Sequence, residues 1–215
     1  MAEPLAAASV QPQLEARAVH LWRGERHLLR GVTFSLAGGE LLQVAGPNGV
    51  GKTSLLRCIA GLLPRESGEI TWGGQTIERC RDEFHQQLAY LAHANAIKSE
   101  LTTLENLHYG VALKGKRPRA ELLDMLQRLG IGACADLQAR VLSAGQKRRV
   151  ALARILLLRA TLWILDEPVT NLDVAGISLV EQCMDEHLRG GGMIIAAAHQ
   201  RLLQGHPGAR TLELH

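Results

Sequence analysis

Residues 46–53 read GPNGVGKT, which fits the pattern G-x-x-x-x-G-K-[ST]. A chance match in a chain of 215 residues is on the order of one in a hundred from average residue usage. The flanks sharpen it. ELLQVA before it has the apolar pattern of a buried strand, and TSLLRCIAGLL after it has that of a helix. A strand, a glycine loop and a helix in that order, in a chain whose apolar segments alternate with helical ones, argue for an α/β fold with a largely parallel sheet. They also make a site. Glycines let successive backbone N–H groups turn inward around phosphate oxygens, and the helix N-terminus adds its positive end. Gly46, Pro47, Asn48, Gly49, Val50, Gly51, Lys52, Thr53 and Ser54 are therefore candidate nucleotide-binding residues. Lys52 is expected to reach the β- and γ-phosphates of ATP, and the Thr53 hydroxyl to hold Mg²⁺. The alternative is an ordinary glycine-rich turn.

Four apolar runs read as core strands: ELLQVAG, QLAYLAH, TLWILDE and MIIAAAH. Each ends in polar chemistry: the glycine loop, His93, Asp166 with Glu167, and His199. Open parallel sheets bind ligands beyond the carboxyl ends of their strands, so these ends form one candidate site. Earlier, LEARAVHL, GVTFSL and GEITWGGQTI read as short strands, with a Gly73-Gly74 hairpin, forming an antiparallel layer. The stretch from about 93 to 160 reads as a helical subdomain inserted into a catalytic core of about 13–92 and 161–215. In it, TTLE at 102–105 fits a capping box and Pro118 a helix start.

Composition narrows the class. A net charge of +3 without a long basic tract does not call for nucleic acid. The densest basic group, Lys114, Lys116, Arg117 and Arg119, reads as a solvated loop. Four scattered cysteines without a C-x-x-C pair fit free thiols. The first residues read as a frayed tail and not as a signal peptide. No apolar run approaches the ~18 residues a membrane span needs, so any spanning falls to other chains.

Two further motifs add chemistry. Asp166 is placed to hold Mg²⁺ through water, and Glu167, pointing elsewhere, to polarise an attacking water. In LSAGQ (142–146), Ser143 and Gln146 complete an S-x-x-Q capping box, a sufficient local explanation. The same helix start is also an anion site, and a second copy of the chain can present it to a phosphate held by this one. The basic run Lys147-Arg148-Arg149 that follows reads as a solvated or phosphate-proximal face.

In order, GPNGVGKT, LSAGQ, LWILDEP, TNLD and AAAHQ resemble an ABC-transporter nucleotide-binding domain over essentially the whole chain from about residue 13. The resemblance implies a P-loop NTPase (RecA-like) parallel-sheet core with an antiparallel β layer and a helical subdomain, acting as an ATPase. It implies that Ser143, Ala144, Gly145 and Gln146 contact the γ-phosphate held by a partner copy in a head-to-tail homodimer. It implies that Asp173 is the D-loop aspartate and His199 the switch histidine, catalytic alongside Glu167 and Lys52. His93 stands where the family has its Q-loop glutamine, and Ala144 where it has a second glycine. Trp22 is either the aromatic that stacks on adenine or a core tryptophan. GVTFSLAGGELLQVAGPNGVGKTSLLR, IKSELTTLENL and LSAGQKRRVALARILLLRATLWILDEP are most similar to the ATPase subunits of bacterial cytochrome c maturation haem exporters. That similarity implies integral membrane permease partners, a peripheral place on the cytoplasmic face of the inner membrane, and no haem bound by this chain. The other readings are an ABC ATPase for another substrate and a non-transport, ATP-sensing module.

Overall fold

The computed structural model describes residues 13–215. Of the N-terminal stretch read as a tail, residues 1–17, residues 1–12 lie outside the described residues, and from Leu14 the chain is already in the first strand.

Two sheets organise the chain. The first is antiparallel, in the order β2-β1-β4-β5. It comprises β1 (Leu14–Arg23), β2 (Arg26–Leu36), β4 (Ser67–Trp72) and β5 (Gln75–Thr76). The hairpin closes where Trp72 pairs with Gln75 across Gly73 and Gly74, both at positive φ. The second sheet is parallel, in the order β6-β7-β8-β3-β9. Four of its strands are the apolar runs read from the sequence: β3 (Leu41–Ala45), β6 (Leu88–Leu91), β7 (Leu162–Asp166) and β8 (Met193–Ala197). The fifth, β9 (Ala209–Glu213), was not expected. It is an edge strand on β3 with no fully buried residue, so its hydrophobic signal is weak.

The parallel sheet separates two cores, and period-two alternation assigns its side chains to them. Leu162 and Ile164 of β7, and Met193, Ile195 and Ala197 of β8, face the core shared with the antiparallel layer. Helix α1 (Lys52–Ile59) buries Leu55, Leu56, Cys58 and Ile59 in that core. Trp163 and Leu165, with Ile194 and Ala196, face the other core. That core is shared with α3 (Thr103–Val111), α4 (Arg119–Arg128), α5 (Ala144–Leu157) and α6 (Val174–Arg189). The short α2 (Arg81–Gln86) leads into β6. With both faces covered, β7 and β8 are buried at every position, which is why they read as continuous apolar runs.

Capping sets the helix starts. Thr102 accepts from the Glu105 N–H and Glu105 returns a bond to the Thr102 N–H, which completes the box ahead of α3. Pro118 occupies the N-cap of α4. The helix after the glycine loop is shorter than its sequence pattern. It ends at Ile59, and the chain turns at Gly61, φ +68°. One member of the basic group departs from the solvated-loop reading. The Lys114 ammonium donates to the carbonyls of Gln86 (2.8 Å) and Leu88 (2.5 Å), and its burial lowers its pKa. Those two carbonyls lie at the α2–β6 junction, so the lysine ties the helical region to the sheet.

The four cysteines are free and buried. Burial raises the Cys58 thiol to about 11, so it stays protonated and unreactive at neutral pH. Among the described residues, no helix is long and apolar enough to cross a membrane.

Candidate nucleotide site

The carboxyl ends of β3, β6, β7 and β8 converge on a cavity of about 440 Å³. Asn48, Gly49, Gly51, Lys52, Thr53 and Ser54 line it from the glycine loop. Asp166, Glu167, His93 and His199 line it from the other strand ends, and Arg23, Arg26 and Leu28 from the β1–β2 hairpin.

The loop owes its shape to positive φ angles. Gly46, Gly49 and Gly51 lie at +136°, +74° and +118°. A Cβ on Gly46 would sit 2.5 Å from the Leu214 carbonyl oxygen, so no other residue fits there without moving the C-terminal strand end. Val50 turns away from the cavity into the core, leaving only its backbone to the loop. Gly46 and Pro47 act through their carbonyls. Lys52, 9% exposed, donates from Nζ to Gly46 O at 2.7 Å and Pro47 O at 3.2 Å. An ammonium has three N–H donors, so a third remains for a phosphate oxygen.

The Thr53 hydroxyl donates to Asp166 Oδ2 at 2.9 Å, joining the start of α1 to the end of β7. The next residue, Glu167, breaks the strand with φ +53°. A non-glycine residue in this left-handed region costs of order 1–3 kcal/mol and persists where neighbours fix it. Here the Glu167 N–H donates to the Ala197 carbonyl at 2.8 Å. The turn carries the Glu167 carboxylate into the cavity, 3.4 Å from His199 Nε2. The histidine side chain is 64% exposed and that of Glu167 12%, so the carboxylate is the fixed partner.

Trp22 lies neither in this cavity nor in a core. It is 47% exposed, and its ring stacks on His27 with centroids 4.2 Å apart and planes at 5°. Strand alternation explains the difference. Trp22 pairs with His27 on one face of the hairpin, whereas Arg23, paired with Arg26, faces the cavity. The register of β1 on β2 shifts between Leu21 and Trp22, an irregularity that a period-two reading does not foresee. The sequence reading therefore missed Arg26 and Leu28 as cavity residues.

The start of α5 is outside the cavity. Ser143 accepts from the Gln146 N–H at 3.1 Å, and Gln146 Oε1 accepts from the Ser143 N–H at 2.8 Å, the expected reciprocal cap. Ser143 and Ala144 are exposed. Gly145 is held against the TNLD segment, since a Cβ there would meet the Asn171 carbonyl oxygen at 2.7 Å. Asp173 caps α6 by accepting from the Gly176 N–H at 3.0 Å, and it pairs with Arg149 at 2.9 Å. These contacts, the backbone bond first, lower its pKa.

The run after the cap departs from the solvated or phosphate-proximal face expected for it, since neither Arg148 nor Arg149 is exposed or lines the cavity. Arg148 is only 2% exposed and bonds the carbonyls of Asp166, Glu167 and Pro168. Arg149 spends its donors on Leu129 O and Asp173. Basic residues at the fifth and sixth helical positions can face the interior when their donors meet backbone carbonyls, a role with no pattern in the sequence.

This geometry can hold a polyphosphate on backbone N–H groups and Lys52, beside a carboxylate fixed at the cavity wall. The family model for ABC transporters matches residues 29–170. The chain belongs to the ABC transporter family. It is thus an ATP-binding ABC ATPase. Among curated relatives, the cytochrome c biogenesis ATP-binding export protein CcmA of Dechloromonas aromatica (strain RCB) is 47% identical over 190 residues. That match covers 88% of this chain and 93% of the relative. The protein of the same name from Escherichia coli (strain K12) is 44% identical over 201 residues, covering 94% and 96%. Among solved structures, an ATP-binding subunit of an ABC transporter superposes with a TM-score of 0.77 at 26% identity, covering 86% of this ABC ATPase and 79% of that chain. The cbiO1 protein of Clostridium perfringens, part of the ABC transporter complex cbiONQ, gives 0.71 at 28% identity, covering 87% and 78%.

Proposed function

We propose that this ABC ATPase powers an export step in cytochrome c biogenesis, as the ATP-hydrolysing subunit of a haem exporter in the bacterial inner membrane. The observation that carries the reading is similarity to CcmA proteins over 88–94% of the chain at 44–47% identity. The subunit would sit at the cytoplasmic face, peripheral, beneath integral membrane permeases. Four of the exposed large apolar side chains, Tyr109, Leu113, Leu137 and Val141, fall in the helical region between β6 and β7, which favours a partner surface there. Haem itself would be handled by other chains.

The site chemistry follows from the side chains. Backbone N–H groups of Gly49, Gly51, Lys52 and Thr53 would cradle the phosphates, and Lys52 would bridge them. Thr53 and Asp166 present hard oxygen ligands side by side, a donor set that suits Mg²⁺. When bound, that ion offsets charge on the phosphates. Glu167 would take a proton from the attacking water, and His199, 3.4 Å from it, would orient that water and the γ-phosphate. Arg23 and Arg26 line the same cavity, which favours them as partners of the base, since a guanidinium stacks on a purine face much as an aromatic ring does.

The exposed, capped start of α5 favours a role across a head-to-tail dimer, with Ser143 to Gln146 of one copy closing on the ATP of the other. Its free N–H groups then meet a phosphate that the chain's own loop does not enclose. Ser143→Arg should abolish ATP-driven dimerisation, measured by light scattering, while the protein stays folded and its melting temperature falls by only about 2–4 °C, the cost of a lost N-cap at an exposed position. Retained dimerisation would count against the role of the cap.

The function is tested in cells. Deleting the gene should leave apocytochromes without covalent haem, seen as loss of haem-stained c-type bands. Complementation by wild type and failure by Glu167→Gln are expected. Normal c-type cytochromes in the deletion would favour an ABC ATPase for another substrate.

A further inference from the structure

Arg148, in the second turn of α5, is 2% exposed, yet among the described residues no carboxylate lies within ion-pair distance of it. Its guanidinium instead uses all five N–H donors on neutral acceptors. Nε donates to Pro168 O at 3.2 Å. One terminal nitrogen donates to Ala92 O at 3.0 Å and Asn95 Oδ1 at 2.9 Å. The other donates to Asp166 O at 2.6 Å and Glu167 O at 2.5 Å. A buried cation loses its hydration, and a full set of well-placed acceptors is what makes such a position tolerable. Burial pushes its pKa down to about 10, against the opposing pull of the Asp166 and Glu167 charges, so the group remains charged at neutral pH.

Two loops meet on this one side chain. The first is the turn after β7, in which Glu167 holds φ +53°. Three successive carbonyls of that turn point at the guanidinium, while the Glu167 N–H is tied to Ala197 on the opposite side. Strained conformations of this kind persist only where the surroundings over-determine them. The second is the segment after β6, whose His93 lines the same cavity as Glu167. Arg154, six residues further along α5, also reaches this segment, at Ala96 O and Asn95 O, but bonds nothing in the Glu167 turn. Arg148 is the link between the two.

We propose that Arg148 is a positioning residue that ties the backbone of the Glu167 turn to the His93 segment, so that the carboxylate keeps its hydrolytic geometry while both loops share one guanidinium. The side chain touches no nucleotide and acts through Glu167. A protein docked on the His93 segment would then move Glu167 without contacting it, because any shift of Ala92 or Asn95 is felt by the same five-donor group. Lysine cannot replace it. Its single ammonium has three donors radiating from one point and cannot span acceptors on both loops.

The proposal rests on the reading of Glu167 as the base, and the test separates the two. ATP turnover, ATP affinity and thermal melting are measured for Arg148→Lys, alone and combined with Glu167→Gln, on the full chain. Arg148→Lys alone should lower kcat about ten- to a hundredfold, the scale of an ångström-sized misplacement. Its affinity for ATP should stay within about twofold of wild type, because the lost geometry matters only in the reaction. In the Glu167→Gln background, single-turnover rates should fall no further, since the group through which Arg148 acts is already gone. A folded Arg148→Lys with wild-type kcat overturns the proposal, as does an equal fall in both backgrounds. Near wild-type turnover in Glu167→Gln alone would instead overturn the assignment of the base. Should Arg148→Lys not fold, Asn95→Ala removes one acceptor on the His93 side and leaves the Glu167 turn bonded. It should cost about three- to tenfold in kcat, again only where Glu167 is present. Unchanged kcat in that variant overturns the proposal.

Discussion

Lys52→Ala should raise the dissociation constant for ATP by about ten- to a hundredfold, the worth of one charge-assisted hydrogen bond of about 1.5–3 kcal/mol. The argument is local. Lys52 is 9% exposed, its Nζ is anchored on Gly46 O and Pro47 O, and one donor remains for phosphate. Alanine removes the only cation that the glycine loop carries, since its other residues from Gly46 to Thr53 are uncharged. It also unties the two carbonyls that help close the loop. The apolar anchors of α1, Leu55, Leu56 and Ile59, lie elsewhere on the helix, so the fold should persist. Titration calorimetry with ATP reads the effect directly. An unchanged affinity would mean that the phosphates bind somewhere other than this cavity.

Glu167→Gln should lower kcat by about a hundred- to ten-thousandfold, the usual contribution of a positioned general base. The substitution preserves shape. The left-handed turn is held by the Glu167 N–H on Ala197 and by its carbonyl on Arg148, both backbone groups that glutamine retains. The amide has no affinity for a proton, so the water is no longer activated. ATP affinity should change little, because the proposed reading rests the phosphates on backbone N–H groups and Lys52. A matching fall in affinity would assign Glu167 to binding and leave the base unidentified.

The two effects bear on how far a sequence discloses a site. The phosphate loop, Asp166, Glu167, His93 and His199 were legible because each follows a buried parallel strand, and the sheet delivers all four strand ends to one edge. Strands buried on both faces announce themselves as apolar runs, and their polar termini stand out. The capping boxes at Thr102 and Ser143 were legible for the same local reason, as both partners lie within four residues.

What was not legible depended on register or on backbone partners. Trp22 and Arg23 are adjacent, and in a strand adjacent residues face opposite ways. One irregular pairing beside Leu21 thus decides whether a ring or a guanidinium enters the cavity. Arg148 bonds four carbonyls and one amide drawn from residues 92 to 168. Carbonyls belong to every residue type, so nothing in the sequence marks them as partners, and a basic run read as a solvated or phosphate-proximal face contains a buried clamp. The edge strand β9 escaped notice because a strand with one bare edge needs few apolar residues.

The central claim is that ATP bound on the glycine loop of one copy is closed by the α5 start of another. The most direct measurement is the solution mass of Glu167→Gln with ATP and Mg²⁺, with ADP, and without nucleotide. A dimer with ATP and a monomer in the other two conditions is the predicted result, with the ATP dimer lost on adding Ser143→Arg. A Glu167→Gln protein that binds ATP but remains a monomer at every concentration tested would contradict it.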